Sequence, residues 1–490
     1  PNWNSLDQRP TPEWWQDGKF GIFIHWGVYS VPAFTERGSY AEWYQHSLNE
    51  NEHNGMVKEY HRINFGDRTY YDLADDFHAE LYNPDEWAQL FEKAGAKYVV
   101  LTSKHHDGFC LWPSKEAGKS WGFPWSADVR GPKRDLLGDL FTALNKTSVK
   151  PGLYYSLYEW YNPLWQFDPA RYASDHAIPQ LYDLVQRYKP WVVWSDGDWD
   201  TTPEVWRSPQ FLAWLYNESP VRDRVVVNDR WGSGVRFKHA GIYTPEYQPD
   251  MDFEDHAWEE SRGMGFSYGY NRAENAWDYN SAQSLVLHLI DKASRGGNFL
   301  LDIGPDAHGQ IPPIMQDRLL EIGKWLEING EAIYGTRRWR SAYQWSEGKR
   351  DWKASQVDGW KTGGDALLKL TVNPDPGYAV KEVFFTWNPK TKSVYAIFPK
   401  YPADKKLVLK GLQVGASSEV TFLATREKLR TEVANGSTTI YLPEYNPSRI
   451  GSSHAFAVKI AGFGAFVEKP EIRVEYDPYT LRPSVTIENK

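Results

Sequence analysis

The sequence predicts an α/β protein: a (β/α)8-like, TIM-type barrel followed by a C-terminal β-sandwich domain. Three observations carry this prediction. Short apolar runs alternate with helix-period segments from residue 20 to about 335. After Pro313–Ile328 that texture stops, and from 345 onward only alternating runs separated by turns are found. At 490 residues the chain is long for one domain and comfortable for two. The expected division is a barrel over 1–340 and an all-β sandwich over 341–490. A doubly wound open sheet is the alternative for the first part, but no Gly-rich phosphate loop follows any strand.

The elements follow in order. Phe20–His25 reads as the first strand. Asn83 can cap a helix, Pro84 suits its first position, and Glu86 sits three after the cap. Trp87, Leu90, Phe91 and Ala94 then share one helix face; Gly95 stops the helix, and Lys97–Thr102 reads as a buried strand. Gly152–Ser156 is the next strand. Leu181, Leu184, Val185 and Tyr188 line a helix ending at Pro190, before the strand Trp191–Trp194. Arg224–Asn228 is a further strand and Gly241–Thr244 a weak one. A helix marked by Leu285 and Leu289 ends at Gly296-Gly297 and leads into Asn298–Asp302. In the second domain, Glu382–Thr386, Ser393–Phe398, Leu407–Leu409, Val420–Leu423, Thr438–Tyr441 and Phe456–Ile460 are the strand candidates.

Composition narrows the function classes. With 55 basic against 64 acidic residues the net charge is −9, which argues against nucleic acid or an anionic membrane as partner. No apolar stretch approaches the ~18 residues of a membrane helix. A single Cys, Cys110, excludes an internal disulfide. The chain opens at Pro1 without a basic-apolar leader, so a secreted or periplasmic protein with its signal peptide removed is expected, with the cytoplasm as the alternative. The aromatic content is high, at 25 Trp, 30 Tyr and 22 Phe. Weakly polar sugar faces stack on such rings, so carbohydrate is a natural ligand; plain core packing is the competing reading.

Reactive groups of a parallel barrel come from the C-terminal strand ends. Polar residues concentrate there: Phe23-Ile24-His25-Trp26, Ser103-Lys104-His105-His106-Asp107, Tyr154-Tyr155-Ser156, Trp194-Ser195-Asp196-Gly197-Asp198-Trp199 and Asn228-Asp229-Arg230-Trp231. No metal is expected, because consecutive histidines on a strand end point to opposite faces and no HExxH helix is present. The carboxylates say more. Cleaving a glycosidic bond with retention needs one ionised nucleophile and one proton donor. Asp196 ends a buried strand, where geometry is fixed; capping the Asp-Gly turn is its other reading.

Together these motifs resemble the α-L-fucosidases of glycoside hydrolase family 29, bacterial type. The resemblance runs from Trp14 to Gly335, about two thirds of the chain. Its most specific parts are Lys104-His105-His106-Asp107-Gly108-Phe109, Trp194-Ser195-Asp196-Gly197 and Ser267-Tyr268-Gly269-Tyr270-Asn271-Arg272. It implies a retaining exo-α-L-fucosidase that releases terminal α-L-fucose from an oligosaccharide or glycoconjugate through a covalent fucosyl-enzyme, with no cofactor. The family nucleophile falls on Asp196. His25, His105, His106, Tyr154, Trp43 and Arg230 would hold the hydroxyls, and Trp194 would pack on the ring. Glu42 matches a carboxylate reaching the same pocket, and Phe23 and Tyr268 match aromatics against the C6 methyl. The acid/base varies across the family. Thr244-Pro245-Glu246-Tyr247 matches a bacterial-type stretch and places it on Glu246. Glu259 is the runner-up, in a signature where Ala257 replaces the usual Lys and Ser261 the usual Cys. Competing readings are a retaining glycosidase for another sugar, α-galactoside-like, and a non-catalytic glycan-binding protein. A homo-oligomer is left open. The polar segment 45–70, with His46, His53 and His61, reads as a solvated face or a neighbouring subunit's contact.

Overall fold

The computed structural model describes residues 1–357, 361–462, 471–476 and 483–488. Seven parallel strands form its first part: β1 (Phe20–Ile24), β2 (Tyr98–Lys104), β3 (Lys150–Ser156), β4 (Val192–Asp196), β5 (Val226–Val227), β6 (Glu259–Gly263) and β7 (Asn298–Ile303). Their order is β5-β4-β3-β2-β1-β7-β6, which leaves β5 and β6 as the two edges. The segment between them spans that gap without forming a regular strand. Ile242 bridges Asn228 on one side, while Tyr243 bridges Trp258 and Glu246 bridges Ser261 on the other. The weak strand expected at Gly241–Thr244 is therefore an irregular eighth stave, broken where Pro245 has no N–H to give the ladder.

Alternation along the strands separates two cores. Phe23, Tyr98, Val100, Tyr154, Val192, Trp194, Val226, Ile242 and Leu300 pack together inside the barrel. Ile22, Ile24, Val99, Leu101, Leu153, Tyr155 and Val193 face outward into the helix layer. Strand β6 was not expected from sequence. Its run Glu-Glu-Ser-Arg-Gly is fully buried yet polar, because Glu260, Arg262 and Lys292 pair outside the barrel while Glu259 turns inward.

The helices follow their sequence signals closely. Asn83 caps Pro84–Lys93 by accepting from the Glu86 N–H at 3.2 Å. The helix Ile178–Tyr188 stops one residue before the expected Pro190, with Lys189 in the left-handed region. Segment 45–70 is not a solvated loop: it holds helices Tyr44–Glu50 and Met56–Phe65. His61 is buried between the Tyr44 hydroxyl (2.9 Å) and the Arg68 carbonyl (2.6 Å), because a short helix pair needs polar cross-ties as well as apolar contact.

Helix Pro313–Asn329 closes the first part. A five-stranded antiparallel sheet follows, in the order Glu419–Phe422, Phe456–Ala461, Ser393–Phe398, Lys381–Asn388, Arg337–Trp345. A three-stranded sheet of Lys406–Leu409, Ser437–Tyr441 and Thr431–Ala434 faces it. Both sheets contribute to one core that includes Phe385, Phe398, Leu409, Phe422 and Ile440, which makes the unit a sandwich. Strands Arg337–Trp345 and Thr431–Ala434 have no counterpart in the sequence reading; their exposed, charged faces hide the alternation. The sandwich is tied to the barrel by Trp325 Nε1 on the Ala455 carbonyl (2.9 Å) and Lys381 Nζ on Asp291 (3.0 Å). Among the described residues no helix is long and apolar enough to cross a membrane.

Candidate active site

The strand ends converge on a cavity of about 250 Å³ at the C-terminal rim of the barrel. Its lining contains Phe23, His25, Glu42, Trp43, His105, His106, Tyr154, Trp194, Asp196, Arg230, Glu246 and Tyr268. Those are the site residues read from sequence, brought together from eight separate segments, with Glu259 left out of the lining. Tyr40, Trp199 and Arg236 also line it and were not singled out. Trp199 closes the quoted strand end that begins at Trp194 but was given no role, and Tyr40 lies two residues before Glu42, whereas Arg236 lies in a polar loop that carries no signal.

Asp196 is the last residue of β4. The chain turns away at once through Gly197, at φ +66°, where a Cβ would meet the Tyr158 ring at 2.3 Å. The Asp196 carboxylate accepts from the Tyr154 hydroxyl (2.9 Å) and from Arg230 Nη1 (2.9 Å). Burial alone pushes this carboxyl up, but the charge of Arg230, then the charge of Arg236 and the Arg230 hydrogen bond, together outweigh burial and hold it below the ordinary aspartate value. Arg230 is itself clamped, donating from Nε to Thr244 Oγ1 (3.0 Å) and from Nη2 to the Thr244 carbonyl (2.9 Å). Two residues on, Glu246 brings Oε2 within 3.4 Å of Arg230 Nη2, and its Oε1 accepts from the Tyr268 hydroxyl at 3.2 Å. One buried guanidinium thus faces both carboxylates.

Glu259 occupies a different level. It opens β6 inside the barrel, opposite Asn298 at the start of β7, and accepts from Tyr98 and from Trp194 Nε1 (3.3 Å). Burial pushes its carboxyl up to about 7. It is 1% exposed and does not line the cavity, from which it is set back behind its hydrogen-bond partner Trp194.

The histidines correct one expectation. His105 and His106 do not point to opposite faces; both line the cavity, with ring centroids 4.0 Å apart. Strand β2 ends at Lys104 with a register shift between Thr102 and Lys104, so the alternation that governs a regular strand has already lapsed. Burial lowers the pKa of His25, His105 and His106, that of His105 to about 3, so all three are neutral. The Ser156 hydroxyl donates to the Tyr158 carbonyl at 2.7 Å, so its oxygen accepts from His106 Nδ1 at 2.6 Å. His106 Nε2 then presents a lone pair to the cavity. His25 is fixed by Asp302, whose carboxyl lies 2.6 Å from His25 Nδ1 and is pushed up by burial and the nearby Glu42. With Nδ1 so engaged, the other ring nitrogen of His25 is left for the cavity. Neutral imidazoles of this kind suit a polyol.

Glu42, 2% exposed, accepts from the Gly269 N–H at 2.8 Å, and burial pushes its carboxyl up to about 7. Behind the histidines, Lys104 donates to Glu159 at 2.8 Å, and both side chains are fully buried.

The aromatic excess divides between site and core. Nine tryptophans among the described residues are almost wholly buried, including Trp15, Trp26, Trp112 and Trp125. Trp199 and Trp277 stand out as exposed, and of these Trp199 belongs to the cavity.

Comparison with known proteins places this arrangement. The family model described as alpha-L-fucosidase matches residues 1–331, and the model of the alpha-L-fucosidase C-terminal domain matches 378–461. The tissue alpha-L-fucosidase of Homo sapiens is 39% identical over 474 residues, covering 94% of this chain and 91% of that protein. The alpha-L-fucosidase of Dictyostelium discoideum is 40% identical over 445 residues, covering 89% and 88%. Among solved structures, the Thermotoga maritima alpha-fucosidase with a mechanism-based inhibitor superposes with a TM-score of 0.76 at 34% identity, covering 94% of this chain and 99% of that one.

Proposed function

The chain belongs to the α-L-fucosidases of glycoside hydrolase family 29, and on that premise we propose that it cleaves terminal α-L-fucose with retention, Asp196 acting as nucleophile and Glu246 as acid/base. The observation that carries this reading is the shared guanidinium: Arg230 reaches Asp196 at 2.9 Å and Glu246 at 3.4 Å. Two carboxylates facing one guanidinium are compatible with the ~5–5.5 Å spacing of retaining enzymes, and this supports retention.

The steps follow from the groups present. The substrate's exocyclic oxygen takes a proton from Glu246 as its bond to the anomeric carbon breaks. Asp196, ionised because Arg230 outweighs burial, bonds to that carbon from the opposite face. Glu246, now a carboxylate, takes a proton from water, and the resulting hydroxide displaces Asp196 to free fucose. The hydroxyls meet His25, His105, His106 and Trp43. Phe23 and Tyr268, with rings 6.1 Å apart, offer an apolar wall for the C6 methyl. A 6-hydroxyl would lose its hydration there, which disfavours galactose.

The test is trapping with 2-deoxy-2-fluoro-fucosyl fluoride. A stable adduct is expected on the peptide carrying Asp196, found by mass spectrometry after digestion. An adduct on another carboxylate, or none despite turnover of 4-nitrophenyl α-L-fucoside, refutes the assignment.

A further inference from the structure

The cavity is lopsided. Its floor, formed by Phe23, His25, Tyr154 and Trp194, is no more than 4% exposed, whereas Trp199 is 40% exposed and the Arg236 side chain 36%. Glu246, the proposed proton donor to the leaving group, stands on the open side with Arg236, whose Nη2 lies 3.8 Å from Glu246 Oε2. The aglycone must therefore pass Trp199 and Arg236.

Arg236 adds its charge to that of Arg230 beside Asp196 and Glu246, but it differs from Arg230 in its hydrogen bonding. Arg230 spends its guanidinium on Asp196 and Thr244. Arg236 makes no hydrogen bond among the described residues; its contact with Glu246 is too long for one, and its Nε is buried without a partner. A buried N–H lacking an acceptor is unfavourable, so an oxygen brought there by a ligand is favoured. The planar fork of a guanidinium matches sulfate and carboxylate oxygens in pairs. Trp199 supplies the complementary surface. It lies nearly parallel to Trp43 (17°, centroids 6.4 Å apart) and is wedged edge-on by Tyr158 and His106 at 5.3 and 5.5 Å. The indole is thereby held rigid while part of it stays open to solvent, a preformed stacking face.

We propose that Trp199 and Arg236 form a leaving-group subsite for an anionic sugar, the indole stacking on its ring and the guanidinium pairing with its sulfate or carboxylate. This rests on the α-L-fucosidase reading and names the substrate class that would distinguish this chain's pocket.

The experiment compares kcat/KM for a neutral α-L-fucosyl disaccharide, its counterpart with a 6-sulfated leaving sugar, and its counterpart with a uronic acid leaving sugar. The wild type should prefer at least one anionic substrate by about tenfold, as expected of a charge-assisted pair at a partly exposed site. Arg236→Gln should bring the anionic-to-neutral ratio close to one, and Trp199→Ala should raise KM for all three while keeping the ratio. Preference for the sulfate assigns a sulfated leaving sugar, and preference for the uronate a carboxylated one. A wild-type ratio near one, or a ratio that Arg236→Gln leaves unchanged because all substrates fall together, overturns the proposal and reduces Arg236 to a partner of Glu246. Failure of the underlying reading looks different: no fucose is released even from the neutral disaccharide.

Discussion

Arg230 donates to Asp196 at 2.9 Å while its guanidinium lies 4.3 Å above the Trp194 ring, so the charge of the proposed nucleophile is set by a cation with little room to move. Burial opposes ionisation of Asp196, and the charge of Arg230 is the strongest influence against burial. In Arg230→Met only burial and lesser partners remain, and the carboxyl rises. Because the ionised form attacks, activity is then lost from the acid side first. The acid limb of kcat/KM for 4-nitrophenyl α-L-fucoside should move up by at least about one pH unit. A limb that stays in place would mean that another group titrates there.

The two candidate proton donors separate by chemical rescue. Asp196→Gly should lower kcat on the order of 10⁴-fold or more, since the other carboxylates lining the cavity, Glu42 and Glu246, stand at other positions. Glu246→Ala should keep the first step for leaving groups that need no proton, and azide should restore its turnover. Glu259→Gln should give no azide rescue and lose less than about tenfold in kcat/KM, because Glu259 touches Tyr98 and Trp194 rather than the cavity. Rescue at Glu259 and none at Glu246 would reverse the roles.

Glu42 makes a stability prediction with a definite sign. Burial pushes its carboxyl up to about 7 in the fold, against ~4.3 in an unfolded chain. Between these values the folded state keeps a proton that the unfolded state has lost, so this group's contribution falls as pH rises and levels off above 7. Glu42→Gln removes that dependence while keeping an oxygen for the Gly269 N–H. The variant should therefore gain on the wild type from pH 4.5 to 7, on the order of 3 kcal/mol in denaturant unfolding. A gap that is flat with pH would show that Glu42 is ionised throughout.

The legible parts of this molecule were those where a local rule held. Asn83-Pro84 announced a helix start, and the alternating runs at 393–398 and 456–460 announced strands. Most of the cavity-lining residues were legible because they sit at strand ends in compact motifs. Strand β6 was not, since its polar residues are paid for by partners over 30 positions away in sequence, such as Lys292 for Glu260. The facing of His106 depended on a register shift that periodicity does not encode. Arg236 depended on where a loop of the folded chain comes to rest. Tertiary placement, rather than residue type, was the missing information in all three.

Asp302 was passed over as an ordinary strand end, yet it engages His25 Nδ1 and orients that ring. Asp302→Asn can still pair with His25 Nδ1 through its amide and keep the ring oriented; Asp302→Leu cannot. KM and the inhibition constant of free fucose should rise about tenfold in the Leu variant and by less than about threefold in the Asn variant, with kcat changing less than KM in both. Equal losses in the two variants would reduce Asp302 to a packing role.

The Lys104–Glu159 pair, at 2.8 Å and with no exposed surface, is the strongest test of how the histidine strand end is held. Glu159 also accepts from His176 Nε2 (2.5 Å), Trp121 Nε1 (2.8 Å) and Asn162 Nδ2 (2.6 Å). Burial would raise its carboxyl, but His176 and Lys104 outweigh burial and hold it well below the glutamate range. Lys104→Met strands a buried charge and should cost about 3–5 kcal/mol, whereas Lys104→Met with Glu159→Leu removes both charges and should recover most of that loss. A carboxylate depressed in the fold contributes stability above its unfolded pKa and loses it as pH falls through the folded one. The gap between wild type and double variant should accordingly narrow below about pH 4. Thermal unfolding across that range measures both effects. A single variant as stable as the double one would show that the pair is incidental to the fold, and that this strand end is held by other contacts, such as His106 on Ser156.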